Sequence, residues 1–414
     1  MVTETGAPTQ PLFMASTDEA RTAMLAAAKA LISVSLMPEV SATAVLARNI
    51  VARQDLPPFR ASAMDGYAVR STDLGKGDFH VVGESAAGRS YPHPLNAGET
   101  VRIFTGARVP DGANLVVIQE EATAEGGLIR LSPARLDKDN IRQQGCDLSA
   151  GTTTLSAGRL LDPAAIGLIA AAGHAYPPVF APPNVSILCT GSELVAPGSE
   201  PSPDQIFESN SPALSALVRK WGGLPHVLTP QADDLAAIAG SVATASDADI
   251  IVVVGGASVG DHDLAKPALE SLGLSQIFNK IKMRPGKPTW FGRLGDQQLV
   301  LGLPGNPASA FVCAHLFLKP LMLALQGADP GPIAPLRAKL SAPLKAEGPR
   351  EGFLRAKLWV GDDATVWADA ALDQDSSLTS VLAAANGCIR RATAAPAAKA
   401  GAIVEAFLFE GRGL

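Results

Sequence analysis

The sequence predicts a multidomain α/β plus β protein: a doubly wound parallel-sheet domain, a β domain inserted into a helical segment, and a C-terminal β-barrel or sandwich. Three observations predict it. Strands rich in Val, Ile and Leu alternate with helical stretches between about residues 185 and 325, the pattern of a parallel sheet covered on both faces. Short β-rich runs separated by Gly, Pro and Asp turns fill residues 51–145, with helical stretches on either side. After residue 329 the chain returns to strand-like alternation. The expected boundaries are 16–50 with 146–180 for the helical segment, 51–145 for the insertion, 181–328 for the doubly wound domain and 329–414 for the last domain.

Each element has a local reason. The first dozen residues are polar and proline-marked and read as a loose tail. Ser16, Thr17 or Asp18 can cap a helix in "STDEARTAMLAAAKALI". "FHVVGE", "ETVRIFTG", "NLVVIQE" and "GLIRLS" are the strands of the insertion. Asp162 caps the next helix, with Pro163 at its first position. "VFAPPN" reads as a stiff linker. Then "VSILCTG", "HVLTP", "DIIVVVGG" and "LVLGLPG" are strands, and the helices between them start at Ser211-Pro212, at Asp233 as cap, and in "LAKPALESLG". "PASAFVCAHLFLKPLMLALQG" is a last helix and "GADPGPIAPL" a second linker. "FLRAKLWV", "ATVWAD" and "AIVEAFLFE" complete the C-terminal strands.

Composition narrows the function. Hydrophobic residues make up 47% and charged residues 18%, with a formal charge of −6. A negative chain has no general attraction to nucleic acid, so any anion must be met by a local cluster of Lys and Arg. Cys146, Cys189, Cys313 and Cys388 lie far apart with no CxxC pair, which disfavours a zinc site or disulfide framework and suits a reducing compartment. The N-terminus lacks a signal-peptide pattern, and no uninterrupted apolar run reaches the ~18 residues of a membrane span. A soluble, cytoplasmic protein is expected, with no membrane and no nucleic-acid partner.

Ligands of an open parallel sheet bind beyond the carboxyl ends of its strands. Three such ends carry glycine: "CTGSELVAPG" with Gly191, "GGASVGDHD" with Gly255, Gly256, Ser258 and Gly260, and "GLPGNPAS" with Pro304, Gly305 and Asn306. One such loop is an ordinary tight turn. Three at one rim point to an anion meeting bare backbone N–H groups and helix starts. None matches the P-loop or the dinucleotide fingerprint. Acids gather at the same rim: Glu193, Asp233, Asp234, Asp261 and Asp263. Asp233 alone is better read as a helix cap, and Asp261 serves equally as a cap or a ligand. Together they suit a magnesium ion bridging to a phosphate, with Glu193 and Asp261 as the metal ligands. Lys280, Lys282, Arg284 and Lys287 surround the turn Pro285-Gly286. A solvated basic strand is the plain alternative; the nearby "GLPGNP" favours a cationic wall for an oxyanion. In the insertion, "PPFRASAMDGYAVR" sets Asp65 between Arg60 and Arg70, "RIFTGARVPDGANLVV" brings Thr105, and "NIRQQGCDL" ends with Arg142 and Asp147.

These stretches together resemble the molybdopterin molybdenumtransferases, the molybdenum insertases of the MoeA and gephyrin family. The matching motifs are "SAMDGYAVR", "RIFTGARVPDGANLVV", "NIRQQG.D", "TGSEL", "DD" at 233–234, "GGASVGDHD", "PGKP" and "GLPGNPAS", in family order over nearly the whole chain. The resemblance implies a C-terminal β-barrel and an elongated homodimer in which the β domain of one subunit closes over the cleft of the other. It implies that adenylylated molybdopterin binds, that molybdate passes to the dithiolene sulfurs, and that AMP leaves with Mg2+ or a similar ion. Other proteins of molybdenum-cofactor biosynthesis are implied partners. Carried over residue by residue, Asp65, Thr105, Asp147, Glu193, Asp233 or Asp234, Asp261 and Lys280 match the family's functional positions. Arg350 and Arg355 resemble an arginine-bearing motif, and Ser376 a glycine-rich serine motif. Arg284 stands where lysine is usual, Asp375 where glycine is common, and Ser192 where an acid often sits. Two other readings are an enzyme that only adenylylates molybdopterin and a non-catalytic anchoring module. The insertion and the last domain speak against the first, and the retained acids against the second.

Overall fold

The computed structural model describes residues 11–36, 43–132, 138–255, 264–334 and 336–409. Within them the chain forms two compact units. One consists of the residues up to Val34, Thr43–Ala47 and the chain from Val179 onward; the other is mainly Arg48–Pro178.

The first unit is built on a seven-stranded sheet. Its order is Leu12–Ala15, Leu274–Ile281, Trp290–Leu294, Gln298–Leu303, Ile250–Val254, Asn184–Cys189 and Leu224–Val227. Six strands run parallel, and Trp290–Leu294 alone runs antiparallel to both neighbours. The alternation in the sequence thus builds the parallel part, and a hairpin extends it. Residues 1–10 of the expected loose tail lie outside the described residues, and at its end a strand begins: Leu12, Phe13 and Ala15 pair with Phe278, Asn279 and Ile281 at the sheet edge. The strand expected at "HVLTP" lies slightly earlier, at Leu224–Val227.

Side chains alternate between two faces, as the strand period requires. Val185, Ile187, Val252 and Leu301 pack on one face with the helices Thr17–Ala27, Asn210–Lys220 and the Pro307–Leu325 segment. Leu188, Ile251, Val253 and Val300 pack on the other with Leu235–Ala243 and Ala265–Ser271. The first helix starts at a capping box: Glu19 N donates to Ser16 Oγ at 3.2 Å, and Ser16 N donates to the Glu19 carboxylate at 2.8 Å. It stops at Ala27, short of the predicted run, and Leu31 N donates to Leu325 O at 2.7 Å instead. A tertiary partner wins over local helix propensity here.

The Pro307–Leu325 segment opens as an α-helix, widens to a π-helix over Ala314–Leu318 and returns to α over Lys319–Leu325. Pro320 has no N–H and its ring crowds the preceding turn, so a wider turn just before it accommodates it. As expected, no uninterrupted apolar run spans this segment, since His315 and Lys319 interrupt it. Within its 19 residues an 18-residue window has a mean hydropathy of 1.7, enough to cross a membrane by length and composition. Of that window 78% is buried, and the segment serves as a core helix.

"VFAPPN" is likewise more than a linker, since Val179 bridges to Leu46 and Phe180 N donates to Val45 O at 2.9 Å. The C-terminal strands form a closed barrel: Glu351–Val360, Val366–Ala370, Leu336–Leu340, Ile403–Leu408 and Gly387–Arg391, which pairs back to the first. Ala338, Leu340, Leu358, Ile389 and Ala406 fill it. Met283–Arg284 joins the barrel as a short strand parallel to Glu351-Gly352.

The second unit holds a six-stranded sheet in the order Leu115–Ile118, Gly66–Val69, Glu99–Ile103, Phe79–Ser85, Leu128–Leu131, Ala122–Glu125. Gly66 is required there, because a Cβ would lie 2.0 Å from Val117 O across the strand pair. Pro163–Ala171 is a helix, and the expected cap is present: Ala165 N donates to Asp162 Oδ1 at 2.7 Å.

Candidate functional site

In the sheet of the first unit, Asn184–Cys189 is flanked by Leu224–Val227 on one side and Ile250–Val254 on the other. Connections leave these neighbouring strands in opposite directions, which opens a crevice at their carboxyl ends. A cleft of about 870 Å³ lies there, lined among others by Thr190, Gly191, Glu193, Asp233, Gly255 and Gly305. Gly255 has φ +101°, and a Cβ on it would meet Thr190 O at 2.3 Å. Only glycine permits that approach. The long helices Asn210–Lys220 and Pro307–Leu325 both start at the cleft wall, with Asn210 and Pro307 in its lining. Their positive dipole ends favour an anion.

Glu193 and Asp233 are the charged side chains lining this chamber among the described residues; no Lys or Arg does so. The helix cap falls on Asp234, not on Asp233 as predicted: Ala237 N donates to Asp234 Oδ1 at 2.8 Å. Asp233 is left free to face the cleft.

A buried carboxylate that sequence reasoning missed braces the wall. Glu208 is 3% exposed. It accepts from Asn210 N at 2.6 Å, Ser211 N at 2.8 Å, the Ser211 hydroxyl and the Cys189 thiol. Burial, followed by the Glu208 charge, pushes the Cys189 thiol far up and keeps it neutral. Asn210 Nδ2 in turn donates to Gly305 O at 2.8 Å.

A second chamber of about 340 Å³ adjoins the first and shares Pro288, Pro304 and Asn306 with it. Arg284, Lys287 and Arg350 line it, with Gln374, Asp375 and Ser376. The chain turns here, but later than expected: Thr289 N donates to Gly286 O at 3.0 Å, which puts Lys287 and Pro288 at the centre of the turn, and Gly286 has φ +111°. Cys313 lies beneath this turn, its thiol pushed up to about 12 by burial. Asn306 Nδ2 donates to Ser376 Oγ at 2.8 Å, and Ala308 N to Ser376 O at 3.0 Å. Asp375 accepts from Ser377 N at 2.9 Å and Ser377 Oγ at 2.8 Å. These bonds, with Arg355 nearby, hold its carboxyl below the usual range. Arg355 is fully buried and donates from Nη2 to Asp375 O at 3.0 Å. Its Nε and Nη1 have no hydrogen-bond partner among the described residues. Burial lowers its pKa, partly offset by Cys388, Asp373 and Asp375.

Lys280 lines neither chamber. Its ammonium lies 5.8 Å from the centroid of the Phe13 ring, and its backbone is left-handed at φ +67°. Gly256, Ser258, Gly260 and Asp261 lie outside the described residues. Among the described residues no group of three or more His, Cys, Asp and Glu side chains is placed to hold a metal ion.

In the second unit, Asp65 and Thr105 are brought together. Thr105 N donates to Asp65 Oδ1 at 2.7 Å and Thr105 Oγ1 to the same oxygen at 2.9 Å. These bonds, with Arg102 nearby, hold the Asp65 carboxyl below its ordinary value. Asp147 is exposed, its backbone N donating to Leu56 O at 3.0 Å.

The chain matches three family descriptions in sequence order. Residues 15–173 match the MoeA N-terminal region (domain I and II), 186–324 a probable molybdopterin binding domain, and 337–409 the MoeA C-terminal region (domain IV). Molybdopterin molybdenumtransferase 2 of Mycobacterium tuberculosis (strain ATCC 25618 / H37Rv) is 37% identical over 327 residues, covering 76% of this chain and 80% of that protein. The molybdopterin molybdenumtransferase of Haemophilus influenzae is 36% identical over 290 residues, covering 69% and 71%. A crystal structure of the molybdopterin biosynthesis MoeA protein from Pyrococcus horikoshii OT3 aligns with a TM-score of 0.79 at 26% identity, over 96% of this chain and 100% of that one. With the motifs, the switch-point cleft and the closed barrel all in family order, this chain belongs to the molybdopterin molybdenumtransferase (MoeA) family.

Proposed function

We propose that this protein is a transferase of molybdenum-cofactor biosynthesis that inserts molybdenum into molybdopterin, with adenylylated molybdopterin and molybdate as its two substrates. The observation that carries the reading is the pair of adjoining chambers of opposite character. The larger has the volume and bare backbone for a ligand that carries a ring and phosphates. The smaller has three cations around a space suited to a tetrahedral oxyanion.

Arg284, Lys287 and Arg350 hold molybdate there, and Ser376, braced by Asn306, contributes a hydroxyl. Gly191, Gly255 and Gly305 let the phosphates approach the backbone, and the two helix starts favour their charge. The donor set fits a magnesium ion. Such an ion takes one or two carboxylates and completes its shell with water and substrate phosphate. Glu193 and Asp233 face the chamber, and Asp261 is the further candidate. When bound, the ion neutralises charge on the phosphoanhydride that is cleaved to release AMP. Asp65, Thr105, Asp147 and Lys280 are assigned to the site on the resemblance of their motifs. We take the protein to be a cytoplasmic homodimer, which sedimentation at twice 42.6 kDa tests.

The deciding experiment supplies pure protein with adenylylated molybdopterin, molybdate and Mg2+. Molybdate-dependent release of AMP with formation of metallated pterin is the expected result. Net adenylylation of molybdopterin from ATP would favour the adenylyltransferase reading. Tight binding without turnover would favour an anchoring module.

A further inference from the structure

The larger chamber carries a feature that its charges do not explain. Ile206–Phe207 is a two-residue strand parallel to Leu194–Val195. Ile206 is 58% exposed and Phe207 48% exposed. Both line the chamber beside Leu194. A phosphate gains nothing from such a wall, and no cation of the described lining stands near it.

This apolar ridge is held firmly from behind. Ile206 N donates to Glu193 O and Glu208 N to Val195 O, each at 2.8 Å. The next side chain in the sequence is the buried Glu208, whose carboxylate ties the ridge to the start of helix Asn210–Lys220 and to Cys189 at the end of a central strand. An exposed aromatic on a braced backbone is a preorganised contact surface rather than a loose rim.

We propose that Phe207 is the stacking platform for a planar heteroaromatic ring of the substrate, adenine or pterin, and that Ile206 flanks it. The inference rests on the reading of the cleft given above. Both rings present a flat π face and polar edges, and a phenyl ring recognises the face regardless of the edge pattern. Successive side chains of a strand diverge, so the aromatic residue carries the stack and its neighbour contributes less.

The test measures equilibrium binding of two separate probes, AMP and non-adenylylated molybdopterin, to the full chain. Phe207→Ala is expected to weaken one probe about 5- to 150-fold, as loss of one base–aromatic stack does. The probe that weakens identifies the ring. Phe207→Tyr should bind as wild type, and Ile206→Ala should lose less than Phe207→Ala. Phe207→Trp keeps the fold and the stack, and its added fluorescence should be quenched by the same probe. Equal binding of both probes by wild type and Phe207→Ala, or an unquenched tryptophan at saturation, overturns the platform alone. A wild-type chain that binds neither probe overturns the reading of the cleft, and the platform with it.

Discussion

The two chambers meet at Pro288, Pro304 and Asn306, yet they are built by different means. The larger sits at a topological switch point, and the charged side chains of its described lining are Glu193 and Asp233. The smaller is bounded by side chains of a turn and of the barrel, among them Arg284, Lys287 and Arg350. A phosphate in the first must be met by backbone N–H groups, helix dipoles and a borrowed cation. An oxyanion in the second is met by cations that the chain already owns. On the proposed reading, metal dependence and direct anion affinity fall on opposite sides of one wall.

Four experiments break or sharpen that contrast. Glu193→Gln should lower molybdate-dependent AMP release by about two to three orders of magnitude, since a catalytic metal supplies several kcal/mol. The thermal midpoint should stay unchanged, and near-normal turnover at saturating Mg2+ would remove Glu193 from the metal. Arg350→Ala and Arg284→Ala should each raise the molybdate requirement about tenfold or more, as loss of a charge-assisted hydrogen bond does. Binding of the adenylylated pterin should hardly change, and Arg284→Lys should keep most activity. A molybdate dependence unmoved by either alanine would place the oxyanion elsewhere.

Asn306→Ala removes the hydrogen bond to Ser376 in the shared wall. A single neutral bond contributes about 1 kcal/mol, so a loss of about fivefold is expected, read as a higher molybdate KM with kcat nearly intact. Equal loss in both parameters would mean that the wall acts in the chemical step. The smallest effect is in the second unit. Bonds from Thr105 lower the Asp65 pKa, so their contribution is full above the ordinary value of about 3.9 and fades as pH falls through the lowered folded value. Thr105→Ala removes the hydroxyl bond and keeps the backbone one, so it should move the Asp65 pKa part of the way toward about 3.9 in a carboxyl-resolved NMR titration. An unshifted titration would show that the hydroxyl does not contribute.

Much of this was legible because glycine after an apolar strand has few uses. The ends at Gly191, Gly255 and Gly305 pointed to one rim, and the sheet does bring them together. The basic stretch with Arg284 and Lys287 was legible from its charges, although its hydrogen-bonded turn runs from Gly286 to Thr289. Asp233 and Asp234 could not be told apart, since neighbours in sequence offer the same cap and only backbone direction decides. Phe207 and Glu208 were invisible. "PDQIFESN" has no periodicity, and its strand exists through pairing with Leu194–Val195. Leu12–Ala15 was missed for a similar reason, as its partners lie more than 260 residues away. Lys280 looked like part of the cationic wall, but a left-handed residue between Asn279 and Ile281 turns it toward Phe13.

The short ladder between Met283–Arg284 and Glu351-Gly352 has a bearing on inheritance. Arg284 is encoded with the α/β half of the chain, and Arg350 immediately precedes the barrel strand that Arg284 joins. Neither half supplies the lining of the smaller chamber by itself; it arises where the two meet. The ladder therefore acts as a vernier between two reading scales. An insertion or deletion that slipped it by one notch would slide the cations past one another by about 3.3 Å, more than the length of a hydrogen bond. Each half would keep its own core. On the proposed reading, the spacing of these cations depends on the register of two residue pairs, one of which contains Arg284 itself.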